Sequence, residues 1–172
     1  MLTLILFRHA KSSWDDASLK DFERPLNVRG RQAAPRMGRY LATAGHTPDL
    51  ILCSSAVRTR ETAKLALAKL EGAPLPKFMD GLYLAEAERI MDVIRTTPGS
   101  IQKLMLIGHN PGLQDLAIDL IGRASVSDMR RLQTKLPTAA VVVIKFACLS
   151  WRDVASNTGD LESFVAPRDV EE

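Results

Sequence analysis

Short, almost unbroken apolar runs recur along the chain, at residues 2–7, 50–53, 103–107 and 139–146. Runs of this length without polar alternation predict strands buried on both faces, as in a parallel sheet. Between them the apolar positions move to helical spacing. Ala33, Met37, Tyr40, Leu41 and Ala44 predict a helix over 31–44, with Pro35 in its first turn or kinking it and Gly45 as its stop. Ala63, Ala66, Leu67 and Leu70 predict a second helix, capped by Ser54 or Ser55, so that Arg58 falls in its opening turn. Ala87, Ile90, Met91 and Ile94 predict a third over 85–96, ended by Pro98 and Gly99. Leu113, Leu116, Ala117 and Leu120 form the stripe of a fourth. Residues 77–83 read as a short strand, 123–135 as a polar connection, and 161–165 as a strand able to pair antiparallel with 139–146. The polar tail, 168–172, is expected to fray.

Strands alternating with helices predict an α/β fold, a three-layer αβα sandwich with a mostly parallel central sheet. Neither a repeat nor a linker breaks the pattern, so 1–172 is expected to form one domain. With 172 residues, 46% of them hydrophobic and 25% charged, the chain can bury a core without a disulfide or metal staple. The longest apolar run, 139–144, is far short of the ~20 residues of a membrane helix. The apolar start lacks the basic lead-in and cleavage site of a signal peptide. Cys53 and Cys148 show no metal spacing, which points to a reducing, cytoplasmic setting. A net charge of +3 with interleaved signs is too weak a bias to predict nucleic-acid binding. No nucleic-acid or membrane partner is expected, and a monomer is.

Chemistry enters where strands end, because ligands of open α/β sheets bind beyond the carboxyl ends of the strands. Arg8 and His9 follow the first run, Arg58 follows the second, and His109 follows the third, ~50 residues apart in each case. Two forked guanidiniums near a helix start suit a tetrahedral dianion, so the inferred ligand is a phosphoryl group. Histidines beside it can act as nucleophile, acid or base, and two imply divided roles. Taken singly, each histidine reads first as a structural residue hydrogen-bonded at a strand end; the coincidence with Arg8 and Arg58 reverses that reading in favour of chemistry. A metal site is not expected, since only three histidines exist and none pairs at i, i+4. His46, after Gly45, reads as a solvated cap.

These residues also carry a resemblance. Leu6-Phe7-Arg8-His9-Ala10-Lys11-Ser12 resembles the signature of the histidine phosphatase superfamily, whose fold is the phosphoglycerate mutase-like one. Residues 54–62, Ser-Ser-Ala-Val-Arg-Thr-Arg-Glu-Thr, are similar to its second arginine motif, and Gly108-His109-Asn110-Pro111 to its second histidine motif. Residues 24–30, Arg-Pro-Leu-Asn-Val-Arg-Gly, look like the corresponding segment of the short SixA-type phosphohistidine phosphatases. The resemblance implies that His9 is the nucleophile that becomes phosphorylated. It further implies that Arg8, Arg58 and His109 bind and polarise the phosphoryl oxygens, and that Arg24 completes the pocket. No cofactor is implied.

Two departures matter. Ala10 stands where many members have glycine, a small change. Larger members carry an acidic proton donor after the third strand, and here residues 80–86 give no clean match; Asp80 and Glu86 are candidates that read more naturally as surface carboxylates. An alkyl phosphate needs such an acid more than a phosphohistidine does, so its absence favours phosphohistidine or an activated phosphate. The leading expectation is therefore a metal-independent phosphatase acting on a histidine-phosphorylated protein domain. The alternatives are a phosphatase of a small phosphorylated metabolite and a phosphate-recognition module without turnover. Ser12, with Lys11 and Ser13, either assists phosphate binding or begins a loop. Trp14 and Trp151 are expected to pack rather than to line an entrance, and Glu61 with Lys64 to form a surface pair.

Overall fold

Alternate side chains of the first strand point to opposite faces, and this divides the core in two. In the computed structural model, which describes residues 1–171, β1 (Leu2–Arg8) sends Leu4 and Leu6 into one hydrophobic cluster and Ile5 and Phe7 into another. The first cluster is closed by α3 (Ala87–Arg95), α4 (Gly112–Leu120) and α5 (Val126–Thr134). The second is closed by α1 (Val28–Thr43) and α2 (Val57–Leu67). Helices thus cover both faces of the sheet, giving three layers.

Among the described residues the sheet has seven strands in the order β3-β2-β4-β1-β6-β7-β5. Besides β1 these are β2 (Leu50–Ser54), β3 (Lys77–Met79), β4 (Lys103–Gly108), β5 (Ile121–Arg123), β6 (Val141–Phe146) and β7 (Gly159–Val165). β3, β2, β4 and β1 run parallel, β6 is antiparallel to both β1 and β7, and β5 is parallel to β7. The α/β sandwich with a mostly parallel sheet, expected from the apolar runs, is what the chain forms.

Several local expectations need correction. The first helix starts at Val28, because the Asn27 side chain accepts the Gly30 N–H at 2.8 Å and caps it; Pro35 lies well inside. Neither Ser54 nor Ser55 caps α2, whose N-cap is Ala56, and Leu70 lies beyond its end although it is buried. Residues 77–83 divide into β3 and a 3-10 turn, Asp80–Leu82. The connection 123–135 contains α5. β6 begins at Val141 because Ala139 takes a left-handed φ of 62°. The tail is anchored rather than frayed: Asp169 accepts the Ala166 N–H and pairs with Arg131, and Val170 packs on the core, while Glu172 lies outside the described residues. Glu61 accepts the Leu26 N–H at 2.9 Å instead of pairing with Lys64, and His46 is buried rather than solvated, 3.8 Å from Glu162. Among the described residues no helix is long and apolar enough to cross a membrane.

Two glycines set how closely elements approach. A Cβ on Gly30 would stand 2.2 Å from the Lys11 carbonyl oxygen, so glycine lets α1 abut the loop that follows β1. A Cβ on Gly38 would stand 2.1 Å from the Ala66 carbonyl oxygen, so α1 and α2 touch backbone to backbone.

Candidate active site

Strand register brings the chemistry together. Arg8 pairs with Gly108 across β1 and β4, so the next residues, His9 and His109, leave the sheet side by side, with ring centroids 5.3 Å apart. Cys53 pairs with Ile107 across β2 and β4, which sets Ser54 beside His109; its Oγ lies 2.7 Å from His109 Nε2. Arg58 comes from the first turn of α2 and is only 3% exposed.

The His9 ring has a defined tautomer. Nδ1 lies 2.7 Å from the Ala10 carbonyl, and since a carbonyl only accepts, Nδ1 carries the proton and Nε2 the lone pair. Burial, supported by the neighbouring Arg8, Arg58 and Arg24 charges, outweighs the Ala10 hydrogen bond and lowers the pKa to about 4. His109 is pushed down to about 3, first by burial and then by the His9 and Arg58 charges. Both rings are neutral near pH 7. The His9 backbone is fixed from both sides, its N–H donating to the Gly108 carbonyl and its carbonyl accepting from Ala139. The Ala10 N–H donates to Thr62 Oγ1 on α2, and its methyl group is buried in the hydrophobic cluster beneath α1 and α2.

The arginines are held differently. Arg8 donates from Nη1 to the Leu136 carbonyl at 2.9 Å. Arg58 grips Asp21, with Nη1 on its carbonyl at 2.8 Å and Nη2 on Oδ2 at 3.0 Å. Arg24 binds Asp21 Oδ1 through Nε and Nη2 and the Ser12 hydroxyl through Nη1 at 3.0 Å, and its guanidinium lies over the Trp14 ring at 3.5 Å. The Tyr83 hydroxyl also donates to Asp21. Burial raises the Asp21 carboxyl, but the hydrogen bonds from Tyr83, Arg24 and Arg58 outweigh it and hold the group well below the usual carboxylate range. Asp21 is therefore an anion that orients two guanidiniums.

All six residues singled out in the sequence, Arg8, His9, Ser12, Arg24, Arg58 and His109, line one cavity of about 400 Å³. Arg8 Nε, Arg58 Nε and His109 Nδ1 are buried with no hydrogen-bond partner in the protein. A donor buried in this way costs on the order of 1–3 kcal/mol, so the arrangement suits an anion that accepts several hydrogen bonds. Asp80 is exposed and receives the Ser55 hydroxyl, Glu86 is exposed before α3, and neither lines the cavity. No cluster of His, Cys, Asp or Glu able to hold a metal occurs among the described residues. Trp151 packs in the core as expected, whereas Trp14 is 76% exposed at the rim of the cavity.

Four contributors escaped the sequence. Asp21 and Tyr83 lie 62 residues apart, and no local pattern joins them. Asn110 lines the cavity and donates to the Leu136 carbonyl that also holds Arg8. Ser54 was legible by the strand-end rule that found the arginines, had its hydroxyl not been assigned to a helix cap. Beside it in β2, the buried Cys53 thiol donates to the Ser54 carbonyl and is pushed up to about 12 by burial.

Residues 4–82 match the histidine phosphatase superfamily (branch 1). An uncharacterised chloroplastic protein of Arabidopsis thaliana is 37% identical over 181 residues, covering 95% of this chain and 77% of that protein. An uncharacterised protein of Mycobacterium tuberculosis is 32% identical over 163 residues, covering 94% and 99%. Among solved structures, one named as a candidate phosphohistidine phosphatase SixA from Agrobacterium tumefaciens superposes with a TM-score of 0.81 at 28% identity, covering 96% of this chain and 98% of that one. With likeness of sequence and of fold extending over nearly the whole length, the chain belongs to the SixA-like branch of the histidine phosphatase superfamily and is a phosphatase.

Proposed function

We propose that the protein removes the phosphoryl group from a phosphohistidine on another protein, by way of a phosphorylated His9. The observation that carries this reading is the His9 tautomer: an unprotonated Nε2 at neutral pH, beside guanidiniums suited to a phosphoryl dianion. In the first step the Nε2 lone pair forms a bond to phosphorus as the substrate's P–N bond breaks. Arg8, Arg58 and His109 receive the charge spreading over the equatorial oxygens. His109 contributes if Ser54 donates to its Nε2, which leaves the proton on Nδ1 for a phosphoryl oxygen. Water then attacks phospho-His9, giving inorganic phosphate and the starting enzyme.

The phosphohistidine preference is supported by the lining of the cavity, which includes no carboxylate among the described residues. A departing alkoxide needs a proton delivered at the breaking bond, whereas a departing imidazole takes its proton on the distal ring nitrogen, directly from water. The guanidiniums supply the charge stabilisation that phosphoryl transfer needs.

The test is hydrolysis, after treatment with a chelator, of a phosphohistidine peptide and of an aryl phosphate, with acid-labile phosphate on the enzyme trapped during turnover. We expect cleavage of both, a higher kcat/KM for phosphohistidine, and a phosphoenzyme absent from His9→Ala. A preference for small phosphate esters would move the substrate to a metabolite. Turnover that depends on added metal, or proceeds without phosphoenzyme, would overturn the mechanism.

A further inference from the structure

A second, wider depression of about 1130 Å³ is lined from α1, α5 and the C-terminal turn Pro167–Asp169. It shares Lys11, Lys135, Pro137 and Thr138 with the catalytic cavity, so the two form one continuous surface. Its charge is one-sided. Seven of the chain's 23 basic residues line it, among them Arg29, Arg130, Lys135 and Arg168, and among the described residues no acidic side chain does. A net charge of only +3 does not produce such a trough by chance mixing. Arg131 is tied to Asp128 and Asp169, but Arg29, Arg130, Lys135 and Arg168 are exposed and make no ion pair among the described residues.

The geometry selects among anions. A compact polyphosphate calls for buried, convergent donors of the kind Arg24 and Arg58 provide, whereas these cations are exposed and spread over three elements. Single-stranded nucleic acid calls for exposed aromatic faces. The aromatic residue of the trough, Phe164, is 6% exposed and lies beneath the Arg131 guanidinium. Exposed cations around apolar ground such as Val126, 74% exposed, match a protein surface in which carboxylates surround a small apolar contact.

We propose that this trough docks an acidic face of the protein whose phosphohistidine enters the catalytic cavity, with carboxylates set against Arg29, Arg130 and Arg168. The proposal rests on the phosphohistidine reading of that cavity and adds the chemistry of the partner. Its field concentrates the correct substrate and orients it before the phosphoryl group reaches His9.

The test uses phosphohistidine peptides of about 15 residues, long enough at ~3.3 Å per residue to lie along the trough, with flanking Glu, Gln or Lys. Each is assayed beside an aryl phosphate on the wild type and on the variant Arg29→Glu/Arg130→Glu/Arg168→Glu. For the wild type, kcat/KM is expected to fall in the order Glu, Gln, Lys by about tenfold per step, and the spread to close as salt rises from about 0.05 to 0.5 M. The variant should invert the order while leaving aryl phosphate hydrolysis within about twofold, since none of the three residues reaches the cavity. Equal cleavage of all three peptides, or an equal loss on the aryl phosphate, would overturn the docking trough and leave the catalytic reading standing. Cleavage of the aryl phosphate with none of the phosphohistidine peptides would overturn the catalytic reading, and the partner with it.

Discussion

The catalytic cavity and the basic trough are both lined by arginines, yet they hold them in opposite ways. In the cavity Arg58 is buried, and two of its nitrogens are fixed on Asp21 at 2.8 and 3.0 Å. In the trough Arg29, Arg130 and Arg168 are exposed and unpaired among the described residues. A buried, oriented guanidinium acts through geometry, in a dielectric where an ångström of misplacement is costly. An exposed one acts through its field, which salt screens and which tolerates movement. The same residue type therefore serves bond-making in one place and encounter in the other.

The sharpest way to break this contrast is to remove the reacting atom. His9→Ala should lower kcat by on the order of 10⁴- to 10⁶-fold with far-UV circular dichroism unchanged, and retention of wild-type turnover would transfer the chemistry elsewhere. Next comes geometry: Arg58→Lys keeps the charge but loses the fork, and kcat should drop by on the order of 10²-fold. If lysine served as well there, the cavity would be acting through field alone, like the trough. Asp21→Asn probes orientation without touching the phosphoryl group. It should lower kcat about tenfold without raising KM, because the dianion loses a competitor for Arg58 even as the guanidinium loses its anchor. A raised KM at normal kcat would instead mean that Asp21 contacts the substrate.

The smallest effect is on stability and follows from the two histidines. Their pKa values, about 4 and about 3 in the folded protein, lie below the ordinary 6.5, so between pH 3 and 6.5 the unfolded chain binds more protons than the folded one. Stability should therefore be fully present above pH 6.5 and be lost as pH falls toward 4, measurable as a declining urea midpoint. Replacing His109 with Gln should flatten that slope. Charge reversal in the trough should not.

Legibility in the sequence followed burial. β1, β4 and β6 sit in the middle of the sheet, covered on both faces, so their apolar runs are continuous and their ends can be placed within a residue or two. At the far edge, β5 has three residues, and α5 is polar overall and fully buries Leu132 alone, so neither carries enough apolar residues to stand out from a connection. Arg8, His9 and His109 were readable because strand ends converge by topology whatever the loops do. Asp21, Asn110 and Tyr83 were not, since each gains its role from a contact made only after the chain has folded, such as the Leu136 carbonyl shared by Arg8 and Asn110.

Cys53 sits in β2 immediately before Ser54, with its thiol buried and held in the protonated form up to about 12. Peroxide and alkylating agents attack thiolates, so the sulfur nearest the catalytic centre offers them nothing to react with. Oxidative bursts that silence phosphatases built on a cysteine nucleophile should pass this protein by. It can keep clearing phosphoryl groups when redox-gated phosphatases have stopped, and millimolar iodoacetamide or peroxide should leave its turnover intact.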